Sequence, residues 1–178
     1  RGTWDQEGGS VLINQAIHFI DSLLWIMGGA RGVCGAHENM THQGVIETED
    51  CAAAALRFNN GALGTLEATA SSHLDWEPTL SIHGTEASLD LRHGQPVKLV
   101  CHEDARERTV REEIARANDQ GGVDASKDYY GTGHAAQIAD FIGAVREGRE
   151  PFVPAREARH AVDVVLGIYS SHRRGRWV

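Results

Sequence analysis

The 178-residue sequence is poor in lysine, cysteine and aromatic residues. Its two lysines are Lys98 and Lys127, and 25 acidic residues against 17 Lys and Arg give a formal net charge of −8. Nucleic acid is therefore not expected as a partner, because phosphate recognition needs clustered positive charge. The cysteines, Cys34, Cys51 and Cys101, are odd in number and contain no CxxC pair, which argues against a zinc site and a disulfide framework.

The sequence also lacks a signal peptide and an apolar run of transmembrane length, so we expect a cytoplasmic protein. Its ten histidines show no HxxxH or HxH spacing, and no metal site is expected. A G-x-S-x-G elbow is absent too, which removes the usual signature of an α/β-hydrolase nucleophile.

Alternating apolar residues and turn signals predict short strands that follow one another. A hairpin is predicted over 51–69, with its turn at Asn59–Gly61. A second is predicted over 78–91, and further strands over 31–40, with Val33 and Ala36 near the core, and over 97–101. Residues 103–127 are charged and predict a mobile surface excursion with a helical turn or two. Two helices close the chain, with predicted buried faces of Ile138, Phe141, Ile142 and Val145, then Ala158, Ala161, Val162, Val165, Leu166 and Tyr169.

This order predicts an α+β fold over one domain, residues 1–178. An open antiparallel sheet of about five to seven strands would be covered on one face by helices. The other face of the sheet would be free for a partner.

The opening stretch GGSVLINQAIHFIDSLLWIMGG, residues 8–29, predicts a helix with Ser10 as N-cap. Its many apolar residues predict burial nearly all round. Asn14, His18 and Asp21 nevertheless share one face at about 100° per residue. Unpaired buried polar groups cost about 1–3 kcal/mol each, so this stripe is either an internally bonded network or one wall of a site.

Three further residues are candidates for the edge of a site. Trp4 and Trp76 could cover the apolar face of a sugar ring, or could simply pack. His134 follows two tyrosines and could border a polar site. It also lies within a GxGxxA match at 131–136, but no strand precedes that match, so we do not interpret it as a dinucleotide site.

The opening helix, the stretch IETEDCAAAALRFNNGALGTLEATAS, the stretch SIHGTEASLDL and residues 134–178 resemble the glucose–fructose oxidoreductase/inositol dehydrogenase (Gfo/Idh/MocA) family. The resemblance covers its C-terminal domain, of dihydrodipicolinate-reductase-like fold. It implies a substrate-binding and oligomerisation domain, with dimers forming through the open sheet face. The family's N-terminal Rossmann domain, which binds NAD or NADP, is absent here. The resemblance therefore implies a fragment that is inactive alone and binds no cofactor itself.

In this resemblance, His18 matches the catalytic proton-transfer histidine and Asn14 matches a substrate-contacting position one turn earlier. Asp21 would hold the His18 ring or cap a neighbour. Trp4, Trp76 and His134 are candidate substrate contacts on the ground of their residue types alone. The implied activity is NAD(P)-dependent oxidation of a sugar, nucleotide-sugar or polyol hydroxyl. The alternatives are a non-catalytic dimerisation module, or a family member that uses NAD transiently for elimination or hydrolysis.

Overall fold

The computed structural model describes residues 2–74, 77–121 and 133–178, with 117–121 described by their backbone alone. The chain divides into two compact units, one of residues 1–76 and 155–178 and one of residues 77–154. Each unit contains an antiparallel three-stranded sheet and helices. The predicted α+β class is confirmed, but the six strands form two sheets rather than one. Short turns join β2 to β3 and the three strands of the second sheet, whereas residues 39–50 connect the first strand to the second and residues 70–78 connect the third to the fourth.

The first unit contains three α-helices, one π-helical segment and the sheet β1-β2-β3. Its elements are α1 (Trp4–Glu7), the π-helical segment (Val11–Ala16), α2 (Ile17–Met27), β1 (Ala30–Glu38), β2 (Cys51–Phe58), β3 (Leu63–Thr69) and the closing helix, numbered α5 because two helices of the second unit precede it (Ala155–Arg174). The predicted hairpin turn joins β2 to β3, and Gly61 has the positive φ of 91° for which glycine is suited.

The core of this unit lies between the helices and one face of the sheet. Alternate residues of β2 point into it, ending at Leu56 and Phe58, both almost fully buried. Val33 pairs with Leu56 and shares this face, whereas Ala36 pairs with exposed Ala53 on the other face. The prediction that Ala36 lies near the core is therefore wrong, because side chains alternate across a strand. On α5, Ala161, Val164, Val165, Ile168 and Tyr169 are buried, whereas Ala158 and Leu166 are exposed, contrary to prediction.

The predicted opening helix is present, but its predicted burial nearly all round is wrong. Leu12, Ile20 and Leu24 are buried in the core, and the opposite side is exposed. The physical reason is that the sheet and α5 cover one side of the helix only. By length and composition alone the stretch Trp4–Met27 could cross a membrane, contrary to expectation, but here its apolar side packs in the core.

The second unit contains the sheet β4-β5-β6 and two helices. Its elements are β4 (Thr79–His83), β5 (Ala87–Arg92), β6 (Gln95–Cys101), α3 (Asp104–Gly121) and α4 (Gly133–Glu147). The charged excursion predicted over 103–127 is a regular helix as far as residue 121, supported by ion pairs four residues apart, Glu107–Arg111 and Glu112–Arg116. Residues 122–127 lie outside the described residues.

Helix α4 does not bury its predicted face. Ile138, Phe141, Ile142 and Val145 are all exposed. Together with Pro151, Phe152 and Val153, part of this face lines an open apolar groove of about 700 Å³. The spacing of apolar residues predicts an amphipathic helix here, and the helix is present. Spacing alone does not determine whether another part of the chain covers the apolar side of the helix.

Candidate functional site

Asn14 and His18 lie one turn apart on the exposed side of the opening helix. Asn14 belongs to the π-helical segment, and His18 to the first turn of α2. Within residues 2–74, 77–121 and 133–178, neither side chain makes a hydrogen bond, and Asp21 makes none to His18. These amide, imidazole and carboxylate groups therefore face outward with their hydrogen-bonding capacity open to a ligand.

The π-helical geometry distinguishes this segment from the rest of the helix. Residues 11–16 follow the i→i+5 pattern, so the 100° projection used on the sequence does not hold there. Ser10, the predicted N-cap, makes no side-chain capping bond. Its place is taken by a residue far along the chain.

Glu49 supplies the missing cap. Its side chain is buried, and its carboxylate accepts hydrogen bonds from the Ser10 backbone N–H at 2.9 and 3.0 Å and from the Leu12 N–H at 3.0 Å. Its own backbone carbonyl accepts from the Val11 N–H at 3.4 Å. A negative charge at the N-terminal end of a helix is favoured because the backbone N–H dipoles point toward it.

Tyr169 of α5 completes the environment of Glu49. Its hydroxyl donates to Glu49 Oε1 at 2.9 Å. Burial and the negative charge of Glu49 raise the pKa of Tyr169 far above its usual range, so the hydroxyl keeps its proton and acts as donor. Gly9 makes room for this bond, since a Cβ there would overlap the Tyr169 hydroxyl.

An aromatic cluster surrounds Tyr169. Trp4 stands edge-on to it, with ring centroids 5.3 Å apart, and also contacts His37 at 5.7 Å. The His37 backbone N–H donates to His172 Nδ1 at 3.3 Å, and the two imidazoles lie 4.3 Å apart. Burial lowers the pKa of His37, and the neighbouring His172 lowers it further. This environment disfavours the charged form of the His37 imidazole, and the cluster leaves Trp4 39% exposed.

The neighbouring acid, Asp50, organises the loop that follows β1. Its buried carboxylate accepts from the backbone N–H groups of Met40 and Thr41, each at 2.8 Å, and from His42 Nδ1 at 2.9 Å. Burial opposes the charge, but these hydrogen bonds outweigh it and hold the pKa of Asp50 well below its usual range.

Sequence reasoning missed Glu49 and Asp50 because a polar stretch between two predicted strands is typical of a solvated connection. Thr48, Glu49 and Asp50 are all buried. The only sequence signal was a pair of adjacent acids directly before an apolar strand. Such a pair ordinarily lies in a solvent-exposed loop, so it did not indicate burial. Their partners, at residues 10–12, 40–42 and 169, are not recognisable from this spacing.

The remaining predicted site residues have different positions. His134 is exposed on α4 in the second unit, and Trp76 lies outside the described residues. Among the described residues, no group of three His, Cys, Asp or Glu side chains could hold a metal ion. All described strand pairs are antiparallel, so these residues do not fit the βαβ unit that binds a dinucleotide.

Solved structures share this fold. The WlbA dehydrogenase from Bordetella pertussis, in complex with NADH and UDP-GlcNAcA, is 25% identical with a TM-score of 0.80, and the match covers 100% of this chain and 49% of that one. Levoglucosan dehydrogenase, in complex with NADH and levoglucosan, is 22% identical with a TM-score of 0.69, covering 96% and 50%. The aldose-aldose oxidoreductase from Caulobacter crescentus, complexed with glycerol, is 16% identical with a TM-score of 0.67, covering 96% and 48%.

The chain thus spans about half the length of these solved structures. No curated protein matches it. The family model described as "Oxidoreductase family, C-terminal alpha/beta domain" matches residues 1–178, its whole length. The chain therefore belongs to the Gfo/Idh/MocA oxidoreductase family, as a C-terminal α/β domain.

Proposed function

We propose that this chain is the substrate-binding domain of an NAD(P)-dependent dehydrogenase that oxidises a hydroxyl of a sugar, nucleotide sugar or polyol. The observation that carries the proposal is the exposed pair of Asn14 and His18, one turn apart and without internal hydrogen bonds. A surface helix gains nothing in stability from such a pair, whereas a hydroxyl-bearing ligand needs both a donor and an acceptor. The NADH complexes of WlbA and levoglucosan dehydrogenase support the same class of reaction.

Each residue has a proposed role. The neutral imidazole of His18 accepts the proton of the substrate hydroxyl, a task for which histidine is suited near pH 7. Asn14 cannot act as a carboxylate base, so it orients the hydroxyl by hydrogen bonding. Asp21, Trp4, Trp76 and His134 are proposed to contact substrate, with Trp4 offering its exposed ring to an apolar sugar face.

NAD or NADP would be bound by a Rossmann domain that is not among these 178 residues. The chain alone is then inactive, and a cytoplasmic location fits a nicotinamide-dependent enzyme. This part of the proposal is supported by coverage of about half of each dehydrogenase structure above. Calorimetry should show no NADH binding by the chain alone, and micromolar affinity would contradict the assignment of the cofactor to another domain.

The decisive experiment is the His18→Ala substitution in the parent protein, assayed with NAD+ against UDP-GlcNAcA and levoglucosan. We expect turnover to fall roughly 10²–10⁴-fold, the usual contribution of a general base. The fold should persist, because the His18 side chain is exposed. The matched control is His160→Ala, another exposed histidine, on α5. Near-normal turnover in His18→Ala would remove His18 from the mechanism.

A dimerisation role is the second candidate, and the open face of the β1-β2-β3 sheet favours it. This face carries mostly small side chains, including Ala36 and Ala53, which pair with each other and are both exposed. Flat surfaces of small residues let a second sheet approach closely. Catalysis and dimerisation are compatible, since the open face and the polar stripe lie on different surfaces of the first unit.

A further inference from the structure

The buried carboxylate of Glu49 stands at the base of the segment that carries the proposed site. It lies 39 residues from Ser10 and 120 residues from Tyr169 along the chain, yet it bonds both. Within the described residues, no lysine, arginine or histidine forms an ion pair with it. Its charge is satisfied by two backbone N–H groups and one hydroxyl, all of which belong to the helical segment or to the helix packed behind it.

The bonds of Glu49 act on the π-helical segment at its first turn. The amides of residues 10 and 12 would otherwise be free donors at a helix start, and Ser10 does not cap them. Because a carboxylate can accept several donors at once, it holds both amides in one geometry. The position of Ser10 in turn fixes that of Asn14, because the Asn14 N–H donates to the Ser10 carbonyl at 2.9 Å.

From these contacts we propose that Glu49, braced by the Tyr169 hydroxyl, is a positioning residue that holds the π-helical segment and thereby the relative placement of Asn14 and His18. This inference rests on the proposed function of that pair. Glu49 itself is buried and does not touch substrate. Gly9 is needed because a side chain there would displace the Tyr169 hydroxyl that donates to the carboxylate.

Amide hydrogen exchange tests the structural half of the proposal. Glu49→Gln removes the negative charge on which three donors converge at Oε1, and it places a donor NH2 group where Oε2 now accepts from the Ser10 N–H. We expect amides 11–18 to exchange at least roughly tenfold faster, while amides 20–27, anchored by Ile20 and Leu24, keep their protection. The control is Glu113→Gln, an exposed acid on α3. Unchanged exchange, or an equal rise throughout 11–27, would overturn the proposal.

Turnover in the parent protein tests the functional half, with NAD+ and UDP-GlcNAcA or levoglucosan as the probes. Glu49→Gln should lower kcat more than it raises KM, and it should add little in a His18→Ala background, because both changes disable the same group. A loss that multiplies fully in both backgrounds would show a merely structural role. Tyr169→Phe keeps the two amide bonds and should give the same pattern more weakly, which covers the case that Glu49→Gln does not fold.

The two proposals fail in different ways. No turnover in the unsubstituted parent protein would contradict the proposed function, and full turnover in His18→Ala would contradict the catalytic role proposed for His18. A large loss in His18→Ala, together with normal kcat and normal exchange in Glu49→Gln, would contradict only the positioning role of Glu49.

Discussion

At the scale of single residues, the adjacent buried acids Glu49 and Asp50 stabilise two different backbone segments. Glu49 accepts from a helix start, and Asp50 accepts from a loop. Neither needs a cationic side chain for its backbone bonds, because oriented N–H groups supply the compensating positive ends of dipoles. For Asp50, whose pKa these bonds lower, the contribution to stability depends on the carboxylate being ionised.

Asp50→Asn should therefore destabilise the protein in a pH-dependent manner. The pKa of Asp50 is lowered in the folded state. Its contribution is thus fully present above the ordinary aspartate pKa near 4 and declines as pH falls below that value. Near pH 7 we expect a loss of about 2 kcal/mol in the free energy of unfolding, because an amide nitrogen replaces a charged acceptor.

Denaturant unfolding of both proteins from pH 7 to pH 2 measures this difference. The difference should be constant near neutral pH and shrink below about pH 4. Asp5→Asn, a change at an exposed acid on α1, serves as the control and should cost little. A difference that stays constant down to pH 2 would show that ionisation of Asp50 is not the source of its stability.

At the scale of elements, α5 packs closely on β1 within the first unit. A Cβ built at Gly167 would lie 2.6 Å from Val33 Cγ1, and Val33 is itself buried. Glycine in a helix interior normally lowers helix stability by about 1 kcal/mol. Its presence here indicates that close approach of helix and strand matters more than helix propensity.

Gly167→Ala should destabilise the protein by about 1–3 kcal/mol despite its better helix propensity, because overpacking forces Val33 or the helix to shift. Gly143→Ala is the matched control on α4, where the added Cβ would meet only the flexible end of Arg149. The control should be neutral or slightly stabilising. Thermal unfolding followed by far-UV circular dichroism compares them, and equal effects of the two substitutions would contradict the packing argument.

At the scale of the whole molecule, the proposed dimer would use the open face of the β1-β2-β3 sheet. Ala53 lies centrally on it, between Ala36 of β1 and Glu67 of β3. Ala53→Glu would bury an unpaired charge in the interface. We expect the dissociation constant to rise roughly a hundredfold or more, since an uncompensated buried charge costs about 3–5 kcal/mol.

Sedimentation velocity measures this change. The unsubstituted chain should sediment as a dimer, and the variant should sediment as a monomer that keeps the far-UV circular dichroism spectrum of the unsubstituted chain. Ala158→Glu, a change at an exposed alanine of α5, should leave the dimer intact. An unsubstituted chain that is already monomeric at micromolar concentration would contradict the proposed interface.

Much of the fold was predictable because its signals are local. The hairpin of β2 and β3 follows from the alternation of apolar residues around Asn60–Gly61. The opening helix, α4 and α5 follow from the spacing of their apolar residues. The outward position of Asn14 and His18 agrees with the predicted polar stripe. Prediction failed where burial depends on another element: the apolar face of α4 is exposed, and the ordinary-looking acids at 49 and 50 are buried.

The sequence alone determined the element types outside α3 and the π-helical segment, and the antiparallel pairing within each sheet, since these depend on spacing of a few residues. Only the tertiary structure decided how the opening helix begins. Its cap is a carboxylate 39 residues away, held by a hydroxyl 120 residues further on. A buried charge is tolerated only where its donors converge, and that convergence exists only after the distant segments have packed together.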